Sequence, residues 1–282
     1  MLRRSPGFTA AALLTLALGI GASSAVFSVV RTVMLEPLPY REPDRLVAVW
    51  ETNRGGTIRN VIAPANFVAW RERTRTLEHL GMVGPTNLVL MVDGQPSNVS
   101  GLMVSADVFA ALAVQPALGR AYTVEEDFGG PSSVIVLSYE FWQSRLGGRD
   151  VIGMTLGTGS GPTTVIGVMP RGFTMVGQKA DFLVPYGQSL EQLRAVSGRG
   201  SSYAIGRLRD GVSFAQAASE MRGIFVDLER EFPQRNARRT VMLFPVEEQM
   251  IGEIRPAMLA LVAAVALVLL VGCVNVANLL LA

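Results

Sequence analysis

Few side chains in this sequence could carry chemistry, and they lie far apart. There is one histidine, His79, and one cysteine, Cys273. A lone cysteine forms no intramolecular disulfide and no Cys-based metal site. A lone histidine gives zinc or a Ser-His-Asp triad little to build on. The only lysine, Lys179, stands in Gly177-Gln178-Lys179-Ala180, without the Ser or Thr that holds Mg²⁺ in a phosphate-binding loop. In Gly157-Thr158-Gly159-Ser160-Gly161 the serine has glycine on both sides and no good strand before it, so the stretch reads as a loop and not as a nucleophile elbow. Glu125-Glu126-Asp127 offers carboxylates to a hard cation, but a solvated turn is the plainer reading of such a run. No catalytic, cofactor-binding or metal-binding residues are expected, and the chain does not read as an enzyme.

The elements that must position these residues are set by two uncharged runs. Ser5 to Val30 carries no charge between Arg4 and Arg31, and Pro256 to Ala282 carries none at all. At a rise of about 1.5 Å per residue, each is long enough to cross a hydrocarbon core of roughly 30 Å. A cleaved secretory signal is the rival reading of the first. Arg3 and Arg4 would be its basic region and Ala22-Ser23-Ser24-Ala25 its cleavage site. The apolar pattern continues through Val26, Phe27, Val29 and Val30 to Leu35, so a retained span is expected. The resulting layout is a cytoplasmic N-terminus over 1–9, a first span over 10–35, an external domain over 36–255 and a second span over 256–282. Ala17, Gly21 and Ala25 recur every four residues, as do Gly19 and Ser23, a spacing that lets helix backbones approach. Gly272, Asn275 and Asn278 are the matching candidates in the second span, where polar side chains seek partners on another helix.

Composition agrees with this layout. Of 282 residues, 49% are hydrophobic, and the mean hydropathy of +0.35 is high for a wholly soluble chain. Of 25 basic residues, Arg3, Arg4 and Arg31 belong to the first span and its flanks, which leaves 22 against 23 acidic ones in the middle region. A nearly neutral middle lacks the basic face that nucleic-acid binding needs, so no nucleic-acid partner is expected. Arg3 and Arg4 favour an N-terminus in the cytoplasm, which places the middle region outside.

Within the middle region, Glu36 to Pro43 carries three prolines that end the first helix. Strands are expected over 45–51, 87–92, 97–104, 133–137, 163–169, 182–186, 203–208 and 240–246, from alternation, apolar runs and turn signals such as Asp93-Gly94. Helices are expected over 64–80, 105–112 and 139–146. The best one runs from Ser213 to Phe232, where Ser213 and Gln216 form a capping box and Ala218, Met221, Phe225, Leu228 and Phe232 form a stripe. The domain is therefore expected to be α+β.

These residues resemble a known family. The opening run with Glu36-Pro37-Leu38-Pro39-Tyr40-Arg41-Glu42-Pro43 is similar to the start of MacB-like ABC transporter permeases of the duplicated orphan subgroup. Pro116-Ala117-Leu118-Gly119-Arg120, Leu137-Ser138-Tyr139-Glu140-Phe141-Trp142 and Gly167-Val168-Met169-Pro170-Arg171-Gly172-Phe173 resemble its periplasmic core domain. Val271-Gly272-Cys273-Val274-Asn275-Val276-Ala277-Asn278 resembles the opening of its FtsX-like permease domain. The resemblance implies two membrane helices flanking a periplasmic domain with a porter-like part and an inserted β-rich part, the insert placed near 120–199. It implies the permease subunit of a type VII ABC system in the bacterial inner membrane, without cofactor. ATP would be bound by a separate ATPase subunit, and the spans would carry its movement to the periplasmic domain for efflux or mechanotransmission. A homo- or pseudo-dimer of permeases and an outer-membrane or adaptor partner are further implied. Such a unit has four spans, so a fragment, a truncated gene or an incomplete gene model is expected. Two readings from other classes stand beside it, a membrane-tethered sensor or scaffold and an anchored hydrolase, the latter without paired catalytic groups to support it.

Overall fold

The computed structural model describes residues 17, 19–21, 23–28, 38–92, 94–159, 161–252 and 254–281. Two units separate, one of 1–38 with 247–282 and one of 39–246.

The second unit holds ten strands: β1 (Leu46–Asn53), β2 (Leu77–Val92), β3 (Gln95–Val104), β4 (Leu118–Gly119), β5 (Val134–Leu137), β6 (Thr155–Thr158), β7 (Gly161–Val168), β8 (Phe182–Val184), β9 (Tyr203–Leu208) and β10 (Arg239–Pro245). Its helices are α1 (Pro64–Arg73), α2 (Ala106–Leu112), α3 (Val124–Phe128), α4 (Tyr139–Leu146), α5 (Leu190–Ala195), α6 (Phe214–Glu231) and α7 (Pro233–Asn236). After α8 (Val246–Ile251) comes the long α9 (Arg255–Leu281).

All ten strands share one sheet, in the order β10-β1-β9-β2-β3-β8-β5-β7-β4, with β6 paired to both β2 and β7. The pairings β2–β3, β3–β8, β8–β5, β5–β7, β7–β6 and β6–β2 form a closed circuit. Six strands thus close a small barrel, and closure leaves them no open edge. Leu90, Val99, Ile135, Leu156, Val165 and Phe182, one from each strand, are buried in its core. Phe141 and Leu146 of α4 join them. The barrel takes β2 and β3 from outside residues 120–199.

The rest of the sheet, β10-β1-β9 and the first half of β2, packs against α1 and α6. Phe67 and Trp70 of α1 meet Met221, Phe225 and Leu228 of α6 over Val47, Val49 and Met82. The α6 stripe is the expected one, except that Phe232 at its end is exposed and Ile224 is buried in its place. The Ser213–Gln216 capping box is formed. The unit is α+β, as expected.

Three local expectations fail. The helix begun at Pro64 stops at Arg73, and Leu77 to Leu80 belong to β2. Glu220 of α6 accounts for the stop: its carboxylate accepts hydrogen bonds from the Thr74 hydroxyl, the Arg75 and Thr76 amides and the Thr76 hydroxyl. These hold the chain extended, and Leu77 and Leu80 then fit the sheet face. In the glycine-rich stretch expected as a loop, Gly157 and Thr158 are instead inside β6 and Gly161 opens β7, its hairpin partner. The acidic run 125–127 is not a turn but a capped helix, because the Thr123 hydroxyl accepts from the Glu126 amide.

Candidate functional site

Both chain ends of the folded unit reach the sheet at one place. β1 is the first strand after the first apolar run, and β10 the last before the second. They pair antiparallel, with Val47 opposite Pro245 and Asn53 opposite Arg239. The start of β1 and the end of β10 are therefore side by side at one margin of the sheet. A displacement of either end acts on the same two strands.

Three side chains fasten the incoming segment, residues 40–45, to this margin. Arg207 of β9, 4% exposed, donates to the backbone oxygens of Ala111 (2.6 Å) and Arg41 (2.6 Å). It reaches Glu42 as well, at 3.4 Å. Burial lowers its pKa, Arg45 nearby lowers it further, and Glu42 and Glu78 work the other way. A guanidinium keeps its charge through such a shift, so these bonds are charge-assisted. Arg45 donates to the Leu208 oxygen at 2.7 Å and pairs with Glu42, Glu78 and Asp210 at 2.7–2.9 Å. Tyr40, 6% exposed, donates its hydroxyl to the Thr174 oxygen (2.8 Å) and accepts from the Val176 amide (3.0 Å). Burial raises the Tyr40 pKa against the pull of these two bonds, so it stays a neutral phenol that can do both. The prolines around 37–43 signal a stiff connection; each of the three clasps that hold its far end includes a bond between residues more than 100 apart, which has no local sequence signature.

The sequence-predicted positions fall as follows. In the first unit, Ala17, Gly21 and Ala25 are exposed, and a Cβ on Gly21 would meet no atom within 4 Å. The close approach is at Gly19, where a Cβ would lie 3.3 Å from Leu269 of α9. Ser23, one turn on, bonds back to the Gly19 oxygen at 2.7 Å. Among the described residues the small-residue contact with α9 is thus at Gly19. Gly272, Asn275 and Asn278 lie on α9, the two asparagine side chains outside the described residues. Cys273 is an exposed thiol on the same helix. Among the described residues one helix, Arg255–Val274, is long and apolar enough to cross a membrane. Most of the first apolar run lies outside the described residues, and so does Ser160.

In the second unit, His79 is on β2 with Nδ1 3.9 Å from an Asp107 oxygen. Asp107 is already held by Arg71 at 2.7 Å. The acidic run does not converge. Glu126 faces Arg120 at 2.7 Å, while Asp127 is fully buried and accepts from the amides of Ala106 and Tyr186, each at 2.9 Å. Burial pushes Asp127 up to about 6 against the pull of those two bonds. Among the described residues no group of three or more His, Cys, Asp or Glu side chains is placed to hold a metal ion.

A family model for the MacB-like periplasmic core domain matches residues 9–224. That is most of the chain, which therefore belongs to this family of permease-associated periplasmic domains. Two solved structures share the fold. One is a domain of a permease protein from Porphyromonas gingivalis, at 18% identity, covering 74% of this chain and 92% of that one with a TM-score of 0.53. The other is the periplasmic region of MacB from Actinobacillus actinomycetemcomitans, at 16% identity with the same coverage and TM-score. No curated protein matches the chain. Family membership makes this an inner-membrane permease type whose folded unit is periplasmic.

Proposed function

We propose that the chain is the permease subunit of a type VII ABC transporter and is not itself an enzyme. ATP binds a separate subunit, and the periplasmic unit takes up the movement. The observation that carries this reading is the pairing of β1 with β10, which puts both ends of the unit on adjacent strands. A shift between the two membrane helices would arrive there as one strand sliding or tilting against its neighbour. Tyr40, Arg45 and Arg207 would pass it on, because buried and charge-assisted bonds resist stretching more than a solvated loop does. Efflux or mechanotransmission, a homo- or pseudo-dimer and an outer-membrane or adaptor partner follow from this reading.

The test is co-isolation. The tagged chain, cross-linked in native membranes, is expected to bring down an ABC ATPase and to change its ATP turnover. Recovery of no ATPase, from cells in which all of them are detectable by mass spectrometry, would overturn the proposal.

A further inference from the structure

The barrel has an open mouth. A cavity of about 290 Å³ sits where β5 ends, β8 begins and the β7–β8 loop returns. Ser138, Glu140, Phe173, Lys179 and Asp181 are in its lining. A much smaller recess shares Ser138, Phe173 and Ala180 with it and is bounded by Met169, Met175 and Leu183. Mouths of β-barrels are preferred ligand sites, and this volume is at the small end of the roughly 300–1,000 Å³ range of such sites.

The charges in this mouth are unspent. Lys179 and Asp181 line one cavity yet form no ion pair or side-chain hydrogen bond with each other or with any other described residue. Glu140 makes one bond, accepting from the Gly172 amide at 2.9 Å, and no ion pair. An ammonium and carboxylates held apart around an apolar recess match a ligand with the opposite charges at its ends.

The wall is held in shape. The Tyr40 hydroxyl fixes Thr174 and Val176, and Gln178 donates to the Tyr203 hydroxyl at 3.4 Å. Val176 is held at φ 49°, a left-handed conformation that is costly for a β-branched residue. A loop kept in that conformation by its surroundings is pre-organised, and pre-organisation lowers the cost of binding.

We infer that this barrel mouth binds a small amino-acid zwitterion of dipeptide size, its carboxylate on Lys179, its ammonium on Asp181 and Glu140, and its apolar side chain within the larger cavity against Phe173 and Ala180. The inference stands on the cavity alone and is independent of any ATPase partner. The test is calorimetric titration of L-alanyl-L-leucine into the full chain in detergent micelles. Saturable binding is expected, weakened tenfold or more by N-acetylating the dipeptide and again by amidating its carboxylate. Lys179→Gln and Asp181→Asn are each expected to give the same loss with an unchanged melting midpoint, since both side chains are solvent-accessible and unpaired. No binding of the dipeptide, or losses under tenfold on blocking its ends, would overturn the inference. The blocked-ligand arm uses the unaltered chain, so its result stands even if a variant fails to fold.

Discussion

Glu51 shows what a single buried charge does here. It is 0% exposed on β1, and its carboxylate accepts from the Ala63 amide, the Asn66 side chain and Arg199. Asn66 continues to Asn236 at 2.8 Å, so one carboxylate ties β1, α1, α7 and the loop before β9. Removing one partner of a buried pair leaves the other uncompensated and costs about 3–5 kcal/mol. Glu51→Ala is expected to lower the unfolding free energy by about that amount in a denaturant titration, whereas Glu191→Ala on the exposed face of α5 should change it by less than about 0.5 kcal/mol. Asp127 makes the opposite prediction with pH. Its pKa rises from 3.8 to about 6 in the folded state, so between these values the native chain binds more protons than the unfolded one. Its contribution to stability is therefore greatest below pH 4 and is lost as pH rises through about 6. Two pH units at about 1.4 kcal/mol each amount to roughly 3 kcal/mol. Asp127→Asn removes this slope; the stability of the parent minus that of the variant should fall by up to that amount between pH 4 and 7, read from denaturation curves at each pH.

At the scale of elements, the decisive contacts are those that overrule local preference. Glu220 ends α1 from a distance. Burial opposes its ionisation, but the bonds from Thr76, Arg75 and Thr74 outweigh that and lower its pKa. Glu220→Ala should cost about 2–3 kcal/mol, the range for losing hydrogen bonds to a charged group, and should speed amide exchange at 74–76. Gly101 does similar work between β3 and β8. It stands opposite Phe182, and a Cβ there would come within 2.5 Å of the ring. Gly101→Ala is expected to open the barrel at this strand pair and to lower the melting midpoint by several degrees. The α4 boundaries and the α6 capping box were legible because Ser138, Gly147, Ser213 and Gln216 act within four residues of the backbone they cap. The end of α1 was not legible, because its cause lies 146 residues along the chain.

For the whole molecule, the barrel and the α1–α6 layer share one strand. β2 runs 16 residues and pairs with β9 in its first half and with β3 and β6 beyond. Neither part can lose β2 without exposing the other, so the periplasmic unit should unfold in one transition. The three tryptophans test this, since Trp70 lies in the layer and Trp142 against the barrel core. Variants retaining only Trp70 or only Trp142 should report the same midpoint, and Phe225→Ala in the layer should move both together. Separate midpoints would show two independent folding units.

The sequence by itself determined the two apolar runs, the near-neutral middle region, the α+β class and the family. These follow from composition, periodicity and short spacings, all written over a few neighbouring residues. Only the tertiary structure decided that the β-rich part closes into a barrel, through pairings such as Leu90 with Thr158, and that β1 and β10 meet. It alone brought Lys179 and Asp181 to one mouth with Ser138 and Glu140. Strand pairing over such distances is chosen by burial of whole faces in competition, and no local run of residues encodes the outcome of that competition.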